Sequence, residues 1–96
     1  MTERERMLAG EHYLAGDPEL VAERERALRL MSRFNATDPV DRPALRAVLS
    51  ELLGGLGGGT EIRPPLYCDY GYQTFIGAHG FVNYGVVLLD VARVTI

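Results

Sequence analysis

The chain has one cysteine, no lysine and no long apolar run. With Cys68 alone, no intrachain disulfide can form and no thiolate zinc site can be assembled. Without lysine, the cluster Gly54-Gly55-Leu56-Gly57-Gly58-Gly59 fails as a phosphate loop, which needs a strand before it and a Lys-Ser/Thr pair entering a helix after it. No stretch approaches the roughly 18 apolar residues of a membrane span, and charges fill the first six residues where a signal peptide would begin its apolar region. A strong charge of one sign is also missing. The net charge is −3, with acids and bases interleaved along the first half, so there is no electrostatic footprint for nucleic acid or anionic lipid. The expectation is a soluble protein of a reducing compartment, hence cytoplasmic, with no nucleic-acid, membrane or metal partner.

What is present is an apolar content of 47%, enough for a core. Thr2 with Glu5 forms a capping box that predicts a helix through about Tyr13. Asp17-Pro18-Glu19 then provides an N-cap, a first-turn proline and an acid for the N-terminal dipole. The stripe Leu20, Ala27, Met31 and Phe34 carries that second helix to about Asn35. Asp38 or Asp41 caps a third, whose Leu45, Val48, Leu49, Leu52 and Leu53 make one apolar face. The charged runs Glu3-Arg4-Glu5-Arg6 and Glu23-Arg24-Glu25-Arg26 read as solvated helix faces. The glycine-rich stretch to Gly59 reads as a hinge.

From Ile62 the chain changes character, with β-branched and aromatic residues in place of leucine stripes. Tyr70, Ile76, Val82 and Leu88 recur every six residues, and Thr74, Gly80, Val86 and Ala92 follow each by four. Helices and flat strands repeat at about 3.6 and 2 residues. A six-residue beat suits a coil of three short parallel strands per turn, with each bulky residue aimed at the axis. Counted from Tyr70, barely more than one turn is present, whereas a solenoid needs about three units to bury its core. The chain is therefore expected to be the front part of a longer solenoid. The fold class expected is α+β, with a helical cap and glycine hinge over 1–59 and the beginning of a β-helix over 60–96.

Few residues suggest chemistry on their own. His12 lies on the first helix and His79 at an expected corner, where a histidine reads as a solvated polar group. Asp69, between Tyr67 and Tyr72, has the look of a carbohydrate contact, since a carboxylate accepts hydroxyl hydrogen bonds while a ring covers an apolar sugar face. The plainer alternative is a strand with aromatics inward and an acid in water. Asn83, beside Val82, passes as a loop residue.

Together these segments resemble one family. Met7-Leu8-Ala9-Gly10-Glu11-His12-Tyr13 is similar to the opening of the maltose and galactoside O-acetyltransferases. Asp17-Pro18-Glu19-Leu20, Phe34-Asn35, Cys68-Asp69-Tyr70-Gly71, Val82-Asn83-Tyr84 and Leu88-Leu89-Asp90-Val91 follow in that family's order. The resemblance implies a helical cap, a left-handed parallel β-helix and a homotrimer. It implies transfer of acetyl from acetyl-coenzyme A, as co-substrate, to a hydroxyl of maltose, glucose or a similar sugar. By the same resemblance Asp69, Phe81 and Arg24 contact the acceptor, and Asn83 both contacts and positions it. The general-base histidine belongs to a later coil, after Ile96, as does most of the coenzyme groove, so no catalytic base is expected in this chain and the chain alone is expected to be inactive. The family's acid after the first helix is replaced by Leu14 or Ala15, unless Asp17 serves. Asp69 and Phe81 lean toward the maltose type. The alternative is a non-catalytic interaction module whose open coil end docks on another chain.

Overall fold

The computed structural model describes Met1–Ile96. Three helices, α1 (Glu3–Leu8), α2 (Pro18–Ala36) and α3 (Arg42–Leu52), precede seven short strands. The strands are β1 (Gly55–Leu56), β2 (Glu61–Ile62), β3 (Leu66–Cys68), β4 (Thr74–Ile76), β5 (Phe81–Val82), β6 (Val86–Leu88) and β7 (Val94–Thr95). They form three parallel sheets, β1-β4-β7, β2-β5 and β3-β6. Gly55 pairs with Phe75, Glu61 with Phe81, Leu66 with Val86 and Thr74 with Val94, so each turn takes 20 residues. This is the start of a β-helix, with two full turns and the first strand of a third.

The axial beat is placed differently from the expected one. Ile62, Cys68, Ile76, Val82 and Leu88 are buried together, six apart within a turn but eight apart between Cys68 and Ile76. The corner after β3 holds the two extra residues. Tyr70 therefore leaves the axis and packs with Met7 and Leu20 in a second, smaller cluster under the cap. The glycine stretch read as a hinge also has a role within the coil, because it contains β1, whose first-turn position is set by pairing with β4. An added Cβ at Gly57 would run into the Gly77–Ala78 backbone, so close strand approach explains a glycine there.

Both later helices start at the expected kind of cap. Asp17 accepts from the Glu19 N–H, and Asp41, not Asp38, accepts from the Ala44 N–H. The capping box of α1 forms, with Thr2 and Glu5 each bonding the other's backbone. That helix stops at Leu8 rather than Tyr13. Gly10 (φ 75°) turns left-handed there, and the Gly10 and Glu11 N–H groups bond back to the Met7 and Arg6 carbonyls, a Schellman ending.

Helix α2 closes the open edge of the first turn. The Asn35 side chain accepts from the Leu66 N–H at 2.8 Å and donates to the Leu66 carbonyl at 3.0 Å, mimicking a neighbouring strand. One helical turn earlier, Met31 Sδ accepts from the Cys68 N–H at 3.0 Å. Four helix residues rise about 6 Å and two strand residues about 6.6 Å, so positions 31 and 35 meet 68 and 66 in step. An unpaired strand edge is thereby covered. No helix is long and apolar enough to cross a membrane.

Candidate functional site

The corner between β3 and β4 is the most elaborate in the coil, since its extra length lets it reach the cap. Tyr70 Oη accepts from Arg24 Nη1 at 2.8 Å, and Arg24 Nη2 donates to the Ala15 carbonyl at 2.7 Å. Arg24 thus bridges α2, the α1–α2 connection and the coil. Two residues on, Tyr72 Oη donates to Glu23 Oε2 at 2.7 Å, while Glu23 Oε1 accepts from Arg4 Nε at 2.7 Å. Arg4 also stacks 4.9 Å from the Tyr72 ring centroid. Burial, and then the neighbouring Glu23 carboxylate, push the Tyr72 phenol well above its ordinary range, so this tyrosine is a permanent donor.

Asp69 opens the corner, half-buried. Its N–H donates to the Leu88 carbonyl at 3.2 Å, but its carboxylate makes no hydrogen bond within the chain. Burial first, and then the charge of Asp90, raise its pKa above the usual carboxylate value, while Arg24 pulls the other way. Arg24, 45 positions from Asp69 in sequence, reaches the same corner by its hydrogen bond to Tyr70, the residue after Asp69. Asp17 is committed to the α2 N-cap, and Ala15 offers only its carbonyl, which Arg24 occupies.

Phe81 and Asn83 belong to a different part of the coil, Phe81 in β5 and Asn83 at the corner just after it. Phe81 is 53% exposed, and Arg63 sits 4.9 Å from its ring centroid and 5.2 Å from that of Tyr84. Asn83 is exposed; its Oδ1 accepts from the Tyr84 N–H at 2.8 Å, and its amide nitrogen has no partner. No hydrogen bond joins the Asp69–Arg24 pair to the Phe81–Asn83 pair, because in a three-sided coil the residues after β3 and after β5 sit on different edges. Neither imidazole bonds to either pair. His79, at φ 57°, occupies the corner after β4 against Gly59.

Sequence reasoning missed three members of this neighbourhood. The six-residue count puts Tyr70 on the axis, whereas it packs under the cap. Arg63 gave no signal beyond being a charge next to Pro64. Asp90 did give one, as a lone acid in the apolar run Val86-Val87-Leu88-Leu89-Asp90-Val91. A separate cleft of about 410 Å³ lies between α3 and β2, lined in part by Arg42, Arg46 and Leu49, and contains none of the expected acceptor residues.

The maltose acetyltransferase hexapeptide capping motif matches residues 6–57. Nodulation protein L of Rhizobium meliloti is 46% identical over 95 residues, covering 99% of this chain and 52% of that protein. Among solved structures, a maltose O-acetyltransferase from Clostridium difficile superposes with a TM-score of 0.94 at 38% identity, covering 97% of this chain and 50% of that one. A hexapeptide-repeat acetyltransferase from Vibrio cholerae, solved with acetyl-coenzyme A, gives 0.88 at 39% identity, covering 99% and 51%. The chain spans about half the length of the relatives it matches.

Proposed function

This chain belongs to the maltose/galactoside O-acetyltransferase hexapeptide family, and on that premise we propose that it forms the acceptor side of a sugar O-acetyltransferase that uses acetyl-coenzyme A. The observation that carries the reading is the half-buried Asp69 carboxylate, which makes no hydrogen bond within the chain and stands next to Tyr70, the residue that Arg24 ties to the cap. A carboxylate with no hydrogen bond of its own, partly desolvated at a corner that Arg24 anchors through the next residue, is suited to accept a sugar hydroxyl. In the reaction the hydroxyl proton passes to a base as the sugar oxygen attacks the thioester carbonyl, the C–S bond breaks, and the base returns that proton to the sulfur so that coenzyme A leaves as the thiol. A maltose or glucose type of acceptor is proposed from the combination of Asp69 and Phe81.

Asn83 is proposed as the positioning amide, with its unpartnered nitrogen available to donate, and Phe81 as the ring beside the sugar. These two stand on a different edge from Asp69 and Arg24, so convergence calls for a neighbouring copy. A homotrimer of coils, edge against edge, meets that need. The outward face of β3-β6 supports it, because Tyr67 and Val87 stand side by side there and Leu89 follows, all exposed. The domain reading of a cap over 1–59 and a coil from 60 is proposed with the qualification that β1 lies before that boundary.

The base is proposed to be a histidine outside these 96 residues, since His12 and His79 bond to no acceptor residue. Loss of a general base alone lowers rates by roughly 10²–10⁴-fold. Incubating the purified chain with acetyl-coenzyme A and maltose, and following thiol release, should show no turnover. Turnover at the rate of an intact enzyme would refute the assignment of the base. Absence of any maltose-induced NMR shift at Asp69 in the wild-type chain would refute the acceptor site itself.

A further inference from the structure

We infer that Asp90 is a positioning residue of the acceptor site, holding the Asp69–Thr74 corner in place from one turn above. This rests on the acceptor-side reading of Asp69. The 20-residue turn brings Asp90 over Tyr70, and its side chain is 0% exposed. Asp90 Oδ1 accepts from the Tyr70 N–H at 2.8 Å, and Oδ2 accepts from the Thr74 hydroxyl at 3.1 Å. One carboxylate therefore pins both ends of a corner that has two residues more than its neighbours.

Between those two anchor points the corner has little freedom. Gly71 adopts φ +83° against the Leu52 carbonyl, and the Thr74 N–H closes onto the Gly71 carbonyl at 3.0 Å. Tyr70 and Tyr72 project from the same stretch to Arg24 and Glu23. Releasing the Tyr70 N–H would free the residue next to Asp69 and loosen the Arg24 bridge together with it. An apolar side chain at position 90 would leave the buried Tyr70 N–H and Thr74 hydroxyl without an acceptor, so the carboxylate is what fixes the corner.

The arrangement also acts on Asp69 through charge. The groups that face Asp69 are Asp90 from the next turn and Arg24 from α2, with the neutral Cys68 thiol alongside. Asp90 raises the proton affinity of Asp69 and Arg24 lowers it. An electrostatic readout therefore separates this role from simple packing.

The test is Asp90→Asn in the 96-residue chain, which preserves shape and an acceptor for the Tyr70 N–H but removes the charge. With a folded ¹H–¹⁵N spectrum, the Asp69 carboxyl titration, followed by ¹³C NMR, should move to lower pH than in wild type. Maltose binding should weaken by roughly tenfold, because the bonds that hold the corner lose their charge assistance. An unchanged Asp69 titration would overturn the inference. Should Asp90→Asn fail to fold, Thr74→Val removes only the hydroxyl donor. It is expected to shift the Tyr70 amide and the Asp69 titration, and constancy of both would equally overturn the inference. If wild type shows no maltose response, the acceptor reading falls, while the titration still decides for or against Asp90.

Discussion

Replacing Asn35 by alanine should destabilise this chain far more than an exposed helix-end position suggests. The amide is the only partner of the Leu66 backbone on the cap side, accepting at 2.8 Å and donating at 3.0 Å. Leu66 is 1% exposed, so its freed N–H and carbonyl are poorly placed to find water. A buried polar group left unsatisfied costs about 1–3 kcal/mol. Asn35 itself is half-buried, which lets water reach part of the gap. The expected loss is about 2–4 kcal/mol for the two groups together. In a domain of this size each 1 kcal/mol shifts Tm by about 4–8 °C, so a fall of roughly 10–20 °C is expected. Thermal unfolding followed by circular dichroism measures it, and hydrogen exchange at the Leu66 amide localises it. A Tm change under about 3 °C with unchanged Leu66 protection would refute the idea that α2 serves as the missing strand. Asn35→Asp makes a sharper comparison. It keeps an acceptor for the Leu66 N–H but sets a carboxylate oxygen against the Leu66 carbonyl, so its penalty should shrink as acid restores a donor.

Two further outcomes follow from the same corner of the molecule. Gly71→Ala places a Cβ 2.6 Å from the Leu52 carbonyl oxygen at φ +83°, and should cost about 3 kcal/mol or more by urea denaturation. Gly85→Ala has φ +74° but open space, and should cost only about 1 kcal/mol; equal losses would mean that the close approach to α3 is unimportant. Cys68, whose thiol is pushed up to about 12 chiefly by burial and then by Asp90 and Asp69, should resist thiol reagents. At pH 8 its labelling should be on the order of 100-fold slower in the native chain than in urea. The sign for stability is definite. Because the folded thiol holds its proton above the unfolded value near 8.5, stability on this account is full below that pH and declines as pH rises toward 12. Fast labelling of the folded chain would contradict the packing of Cys68 under α2.

Much of the local structure was legible in the residues because it depends on near neighbours. Thr2, Asp17 and Asp41 cap their helices through side chains that reach two or three residues ahead. The leucine face of α3 and the six-residue beat of Ile76, Val82 and Leu88 are periodicities, and periodicity survives without knowing the partner. What misled was phase. Tyr70 keeps the six-residue spacing to Ile76, but the corner it occupies is longer, and only the parallel pairing of β3 with β6 reveals that each turn takes 20 residues. The capping box sets where α1 starts but not where it ends; the left-handed Gly10 stops it at Leu8, short of Tyr13.

By itself, then, the sequence determined the order of cap and coil, the helix starts, the absence of a spanning helix, and through its ordered motifs the family. Tertiary structure decided which side chains share a corner. Arg24 and Asp90 both bond Tyr70, the residue next to Asp69, because a coil turn and a packed helix bring positions 24, 70 and 90 together. Phe81 and Asn83 are nearer to Asp69 in the chain than either Arg24 or Asp90 is, yet they stand on another edge. Contacts across a turn depend on register and corner length, which arise only once the strands have paired. No local spacing rule encodes them.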